Sequence, residues 1–562
     1  MKQLVSVFTP RSRRNRGQVS GRFLSMDSNQ ITTIAAYSPR YGLHWKAKQY
    51  IYQGHHVLCS ETPSTSTMLG LAKYALVVIA TPLAFASNLK GSLMSSGISA
   101  SFPGDTSYAS DSTAFNLRFT FKPAAITFPR TAQEVSQIVK IGASENLEVV
   151  ARSGGHSYIA NGLGGQNGAL VIDLRNMGKV TINSTKGTAL IETGNRLGDI
   201  ATALGNAGRA LPHGTCAYVG IGGHAAYGGF GFTSRMWGLT LDTIQAVNLV
   251  LANGTITRVT NQNNPELFWG LRGSASSFGI ATSYEVKTFP APPSSTVFEY
   301  SWTLNITLAA KGISAFQSFV QTNIPPQFGA EINFTKGPKS GTITFTLTGG
   351  WYGAPQDLKA VLAPYLQQMP AKPEVNLNVG TYLNSVAALA GGSLNTKSAP
   401  DAHDTFYVKS LMTPASSPMS DAAILAFTRY LAIQGFASKT ASEWFVQLEL
   451  YGGTNSAINA VPVGATSFAH RSSLFTFQFY ASSPGKVPPY PQYGFKFLDD
   501  AVNSIISNSP KNWDYGAYTN YVDDKLADWK LRYYGSHYPR LRALKDKYDP
   551  RNVFRFPTAI EE

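Results

Sequence analysis

Residues 213–232 read HGTCAYVGIGGHAAYGGFGF. Glycine recurs at 214, 220, 222, 223, 228, 229 and 231, and the plainest reading is a loop-rich turn region. That density predicts backbone pressed flat against something large and planar, where any side chain would collide. Cys216, one of only two cysteines in the chain, sits in this stretch with His213 and His224. A second glycine turn, RSGGHSY at 152–158, follows the buried-strand pattern LEVVARS. Turns of that kind expose consecutive N–H groups that can hold a pyrophosphate. RSGGHSY has neither the G-x-G-x-x-G spacing of a dinucleotide fold nor the lysine of a P-loop. His156, His213, His224 and Cys216 lack the helical HxxxH spacing and a second cysteine pair, so no metal is expected.

Outward from these turns the chain reads as α+β. AAITFP (124–129) is a short strand, and Thr131 to Glu134 form a T-x-x-E capping box that opens a helix to about residue 145. LEVVARS, GALVIDL and TALIETG are further strands, LGDIATALGNAG (197–208) is a helix, and QAVNLVLANGTITRVT (245–260) is a hairpin turning at Asn253-Gly254. PAPPSS at 290–295 marks a boundary. Beyond it, FGAEINFT, GTITFTLTGG, EWFVQLELYGG and SLFTFQFYA are extended, and LAAKGISAFQSFVQ and DAAILAFTRYLAIQ are amphipathic helices. This pattern predicts one antiparallel sheet covered by helices on one face. Strand alternation puts Val446, Leu448 and Leu450 on one face and Gln447, Glu449 and Tyr451 on the other. Likewise Phe475, Phe477 and Phe479 oppose Thr476, Gln478 and Tyr480. A polar face of this kind lines a sugar groove or simply meets water, and the residues alone leave both readings open.

The chain has 562 residues, 43% hydrophobic and 14% charged, with net charge +15. It is a globular chain of two or more domains. Residues 1–67 hold nine Lys or Arg against two acids, and the remaining excess is dispersed, which speaks against a nucleic-acid partner. This head is expected to be a non-native or disordered extension. MLGLAKYALVVIATPLAFAS, from Met68, has one lysine, an apolar run and Ala84-Phe85-Ala86. That is the grammar of a signal peptide over 68–86, cleaved after Ala86; an internal anchor or a buried helix is the alternative. Sequons at Asn183, Asn253, Asn305 and Asn333 agree with export. Cleavage would discard Cys59 and leave Cys216 alone, a sulfur that is reactive, engaged, or buried and inert. A secreted monomer with no membrane span after cleavage is expected.

RSGGHSY, HGTCAYVGIGGH and the terminal NYVDDKL…YYG…RLRALKDKYDPRNVF together resemble the vanillyl-alcohol-oxidase-type flavoproteins. Within them the resemblance is to the berberine-bridge-enzyme-like branch, on the side of the fungal gluco- and chitooligosaccharide oxidases. It runs from about residue 110 to the C-terminus. It implies an FAD-binding domain over 110–289, a substrate domain over 290–510, and a segment over 511–562 that returns to the first. It implies FAD bonded twice, through His156 to the 8α-methyl and through Cys216 to C6. Arg152, Ser153, Gly154, Gly155, Ser157 and Tyr158 would flank the first attachment. Gly214, Thr215, Val219, Gly220, Gly222, Gly223 and His224 would flank the second, with Gly228, Gly229, Ile280 and Asn520 also at the cofactor.

In the same way Tyr521 matches the family's proposed base and Glu449 its partner. Relatives carry Asp at that partner position, so Glu449 is a departure that reaches one methylene further. Tyr158, Gln447, Gln478 and Glu331 fall at substrate positions. The implied reaction oxidises the C1 hydroxyl of a reducing-end (oligo)saccharide to a lactone. Hydride passes to the flavin, O2 is reduced to H2O2, and small Val219 stands at the oxygen gate. A berberine-bridge-like oxidation of an alkaloid or other secondary-metabolite alcohol or amine, with Glu449 as direct base, is the alternative. A sugar-binding protein without turnover is the non-enzymatic one. A free tyrosine ionises near pH 10, and an ionised neighbour such as Glu449 raises that value. Glu449 is therefore read as acceptor or relay for the Tyr521 proton. Tyr515, Tyr518, Tyr533 and Tyr534 are expected to be packing.

Overall fold

The computed structural model describes residues 4–9, 20–25, 34–38, 43–52, 55–60, 82–369, 372–438 and 443–561. It divides into two compact units, Met1–Ile79 and Ala80–Glu562. In the first, Leu4–Thr9 pairs with Ser20–Ser25, and Ile34–Ser38, Leu43–Tyr52 and His55–Ser60 form a three-stranded antiparallel sheet. The described stretches of the head are thus strands, which its aromatic and β-branched residues Tyr50, Ile51 and Tyr52 favour. Residues 68–81, most of the expected leader, lie outside the described residues. The helix Pro82–Ser95 runs through the Ala86–Ser87 bond.

The second unit is α+β. Its first sheet runs Ala100–Ser101, Ala125–Thr127, Leu170–Asp173, Val149–Arg152, the last three strands parallel. The helix Ala132–Ser144 makes the crossover. Thr131 Oγ1 accepts from Glu134 N at 3.1 Å, and Glu134 Oε2 accepts from Arg130 N at 2.7 Å. The capping box therefore closes on Arg130. The strand Val149–Arg152 ends directly at the RSGGHSY turn. A five-stranded antiparallel sheet follows, in the order Val180–Asn183, Thr188–Glu192, Ile280–Lys287, Ile244–Val250, Ile256–Val259.

A seven-stranded antiparallel sheet forms the other half. Its order is Glu374–Gly380, Ser295–Asn305, Thr342–Trp351, Phe328–Lys336, Trp444–Leu450, Ser473–Ser482, Phe406–Pro414. Phe475, Phe477 and Phe479 pack with Phe316 of the helix Ile306–Val320, Phe427 of Asp421–Tyr430 and Leu498 of Gln492–Ile506. The register lines up the opposite, polar face. Asn376, Glu299, Thr348, Glu331, Glu449 and Thr476 form one cross-strand row. Ser301, Thr346, Asn333, Gln447 and Gln478 form the next.

The halves are tied by buried polar contacts. The Arg235 guanidinium donates to the carbonyls of Gly452, Pro325, Phe328 and Thr454 at 2.7–3.0 Å. Lys545 Nζ donates to Asp549 Oδ2 at 2.7 Å and to the Ser277 carbonyl at 3.0 Å, bringing the C-terminal helix Tyr538–Tyr548 back to the first half.

Candidate active site

A cavity of about 420 Å³ lies between the two glycine turns and the polar face of the large sheet. The turns close on each other. A Cβ on Gly220 would fall inside contact distance of Gly154 N, one on Gly154 would strike Gly220 N, and one on Gly222 would press Ser153. Ser153 Oγ fixes the junction, accepting from Gly222 N at 3.1 Å and donating to the Thr193 carbonyl at 2.5 Å. Most of these glycines thus make room for neighbouring protein, where the sequence reading had them bare against a flat body. Gly223 differs: it lines the cavity, and its added Cβ would meet nothing within 4 Å.

His156 and Cys216 meet at one wall. Cys216 Sγ lies 3.7 Å from His156 Nε2, and that nitrogen lies 3.4 Å from Asp401 Oδ2. Phe115 stacks on the imidazole at 3.6 Å between centroids. Burial, with Arg196 nearby, pushes His156 down to about 3, so the ring is neutral. Its Nδ1 is buried and has no hydrogen-bond partner. Cys216 is exposed at the cavity wall, and the protein packed around its sulfur pushes the thiol up, against the N–H groups of Tyr218 and Val219, which favour thiolate.

The polar face supplies the rest. Tyr521 Oη donates to Glu449 Oε1 at 2.6 Å, and Gln478 Nε2 donates to Tyr158 Oη at 2.7 Å. The Tyr158 and Tyr521 rings lie 9° from parallel with centroids 6.2 Å apart. Gln447 Nε2 and Asn333 Nδ2 both donate to Glu331 Oε1, at 2.9 and 2.8 Å. The amide of the Asn333 sequon is therefore engaged inside this network. Burial lifts Glu449 well above the usual carboxylate range, and the neighbouring Glu331 adds to the rise. Burial and the adjacent Glu449 lift Tyr521 well above 10.

Every residue that the family resemblance placed at the flavin or the substrate lines this cavity except Gly228 and Gly229, and His213 of the opening stretch does not line it. The two glycines adopt φ of +148° and +87° and pack against Tyr518 and Thr240, so they shape the wall from behind. Arg152 lines the cavity, but its guanidinium is held by Asp173 Oδ2 and the Asp111 carbonyl, each at 2.5 Å. Asn520 Nδ2 donates to the His224 carbonyl and to Tyr518 Oη, both at 3.0 Å. Sequence reading missed Phe115, Asp401 and Tyr518. The Tyr518 hydroxyl accepts from Gly229 N at 2.9 Å and Phe230 N at 3.2 Å, so it organises the glycine stretch as well as filling space. Only its place beside Asn520 and Tyr521 could have signalled that.

The unpartnered Nδ1 of His156, the Cys216 sulfur on the same wall and the open approach over Gly223 suit a planar cofactor attached at two points. Comparison with known proteins agrees. Residues 123–260 match the family described as FAD binding domain, and residues 517–561 match berberine and berberine like. Chitooligosaccharide oxidase of Gibberella zeae is 37% identical over 465 residues, 82% of this chain and 91% of that one. Glucooligosaccharide oxidase of Sarocladium strictum is 35% identical, covering 80% and 90%. A solved chitooligosaccharide oxidase superposes with a TM-score of 0.79 at 35% identity, over 84% of this chain and 99% of that one. The solved glucooligosaccharide oxidase of Acremonium strictum, with 6-S-cysteinyl, 8α-N1-histidyl FAD, gives 0.78 at 32% identity, over 84% and 99%. This chain is an FAD-linked oxidoreductase with a vanillyl-alcohol-oxidase-type fold, and it belongs to the berberine-bridge-enzyme-like oxidase family.

Proposed function

We propose that the protein is a secreted oxidase of reducing-end (oligo)saccharides, converting the C1 hydroxyl to a lactone. The observation that carries this reading is the Tyr521–Glu449 pair at 2.6 Å, set on a polar face with Gln447, Gln478 and Glu331 opposite His156 and Cys216. A face of amides, carboxylates and phenols is suited to vicinal hydroxyls. The relatives named for chito- and glucooligosaccharides support the same substrate class.

Bound FAD supplies the hydride acceptor and returns the electrons to O2, giving H2O2. His156 Nδ1 and Cys216 Sγ are the atoms that would tether it, leaving the groove open to a long substrate. Tyr521 cannot be ionised beforehand, because burial and Glu449 both oppose phenolate. It therefore accepts the sugar hydroxyl proton while passing its own to Glu449. Glu449 suits this role because it already accepts the Tyr521 hydroxyl, and burial, with Glu331 nearby, makes its carboxylate a stronger proton acceptor than an ordinary one. Gln478 orients Tyr158, and Gln447 and Asn333 orient Glu331, so the hydroxyl-binding groups are placed before substrate arrives.

The test is peroxide release from protein begun at Ser87 across cello-, xylo- and chitooligosaccharides. Aromatic alcohols and amines form the contrasting panel. Turnover confined to the contrasting panel would sink the sugar reading. Export is tested separately, by N-terminal sequencing of protein recovered from the medium, which should begin at Ser87.

A further inference from the structure

Behind the Glu449 carboxyl lies a cluster of hydroxyls that the proton path from Tyr521 leaves unused. Glu449 Oε2, Thr476 Oγ1 and Tyr451 Oη are each buried and without a hydrogen-bond partner among the described residues. Their residues are 4%, 0% and 0% exposed. Thr476 lies directly opposite Glu449 on the neighbouring strand, and Tyr451 stands two residues beyond Glu449, just past the end of its strand. Tyr451 is near enough to Glu449, Thr476 and Tyr518 to feel each of them. We infer that these three oxygens hold one buried water, and that Tyr451 and Thr476 are positioning residues that keep Glu449 ionised for the proton arriving from Tyr521. The role rests on the relay reading of Tyr521 and Glu449, and it adds what stands behind that pair.

An ionised carboxylate offers about four acceptor positions on its two oxygens. Tyr521 fills one of them, on Oε1 at 2.6 Å. Buried oxygens are almost always hydrogen-bonded, so three orphans on adjacent side chains call for a shared partner. A water among them has three polar neighbours, the usual number for a buried water. It donates to Glu449 Oε2 and to one hydroxyl, and accepts from the other.

The donors also run in one direction. Tyr518 Oη accepts from Gly229 N at 2.9 Å, from Phe230 N at 3.2 Å and from Asn520 Nδ2 at 3.0 Å. Those donors use up its lone pairs, so its own proton is left for the unpartnered Tyr451 hydroxyl beside it. The two rings meet edge-on with centroids 5.9 Å apart. The Tyr451 proton is then turned toward the water and Glu449. Charge points the same way. The ionisable groups facing Glu449 are Glu331 from the strand Phe328–Lys336, Tyr521 from the C-terminal segment, Tyr158 from the RSGGHSY turn, and Tyr451. All of them are neutral or negative, so hydrogen bonds supply the stabilisation that a cation gives elsewhere.

Thr476→Val and Tyr451→Phe each delete one hydroxyl and keep the shape of the side chain. Flavin loading, read from absorbance, should stay native in both. Losing a hydrogen bond to the ionised carboxylate makes it easier to protonate, so the acid limb of kcat should move up by roughly half to one pH unit. Thr476→Ser keeps the hydroxyl and should restore the native limb. An unmoved or lowered limb overturns the inference, and so does a rise in melting temperature, the mark of an orphan hydroxyl removed. A crystal structure of the flavin-loaded native enzyme should show a water within hydrogen-bonding distance of Glu449 Oε2, Thr476 Oγ1 and Tyr451 Oη. Its absence there overturns the inference, and this view decides alone if neither variant loads flavin. No turnover of the native enzyme on any sugar overturns the sugar reading instead, on which the crystallographic water does not depend.

Discussion

The Tyr521 hydroxyl donates to Glu449 Oε1 at 2.6 Å, joining a half-buried phenol from the C-terminal segment to a buried carboxyl from the large sheet. The carboxyl's other oxygen has no partner. One proton is thus shared by two groups, each held above its ordinary value by burial. Tyr521→Phe removes the atom that meets substrate, and kcat should fall about 10²- to 10⁴-fold. Glu449→Gln should fall comparably, because an amide cannot take up the proton Tyr521 passes on. Flavin loading, read from absorbance, should stay native in both. Native-like kcat in either variant would sink the relay.

The pH profile isolates the carboxylate pair. Glu449 must be ionised to accept a proton, so kcat should fall as pH drops through its raised value. Part of that rise comes from Glu331. Glu331→Gln removes the neighbouring negative charge and keeps an oxygen for Gln447. The acid limb of kcat should therefore move to lower pH. A limb that stays in place, or moves upward, contradicts the coupling.

Two attachment atoms predict a graded loss of tether. After acid denaturation, native protein and both single variants, His156→Ala and Cys216→Ala, should keep flavin on the polypeptide. The double variant should release it. Flavin absorbance on a denaturing size-exclusion column reads the difference directly. Free flavin from native protein would contradict the attachment.

The glycines should divide by what their missing Cβ would meet. Gly220→Ala drives a methyl into the Gly154 backbone and should lower stability by roughly 1–3 kcal/mol or more. Gly223→Ala meets no protein atom within 4 Å, so its melting temperature should hold while flavin content drops. Thermal melts and absorbance per protein test both.

Buried neutral histidines set the acid stability. Burial pushes His224 down to about 3 and His470 down to about 4, from an ordinary value of 6.5. The unfolded chain binds these protons first, so the stabilisation is complete above about pH 6.5 and drains as pH falls toward 3. Melting temperature should be flat above that window and drop steeply within it.

Much of the site was legible because its parts are local in sequence. Gly154-Gly155 before His156, the thiol at 216 and the alternation of Gln447 and Glu449 each need only a few neighbouring residues. The strands Ser295–Asn305, Glu374–Gly380 and Phe406–Pro414 were not read. Glu374–Gly380 has both faces exposed, so alternation carried no burial signal there. Tyr518 looked like packing because its partners Gly229 and Phe230 are almost 290 residues away.

The amino-acid order by itself determined the element types and the sorting of polar and greasy sheet faces, while the attachment roles of His156 and Cys216 were implied by the family resemblance of the motifs around them. The first two follow from periodicities and side-chain types along a single segment. Only the tertiary structure decided that Gly154 and Gly220 pack on each other, that Gly228 and Gly229 stand behind the wall, and that Glu331 lies opposite Glu449. Those relations come from close packing and strand register between distant segments, and no local pattern encodes which strand will lie beside which.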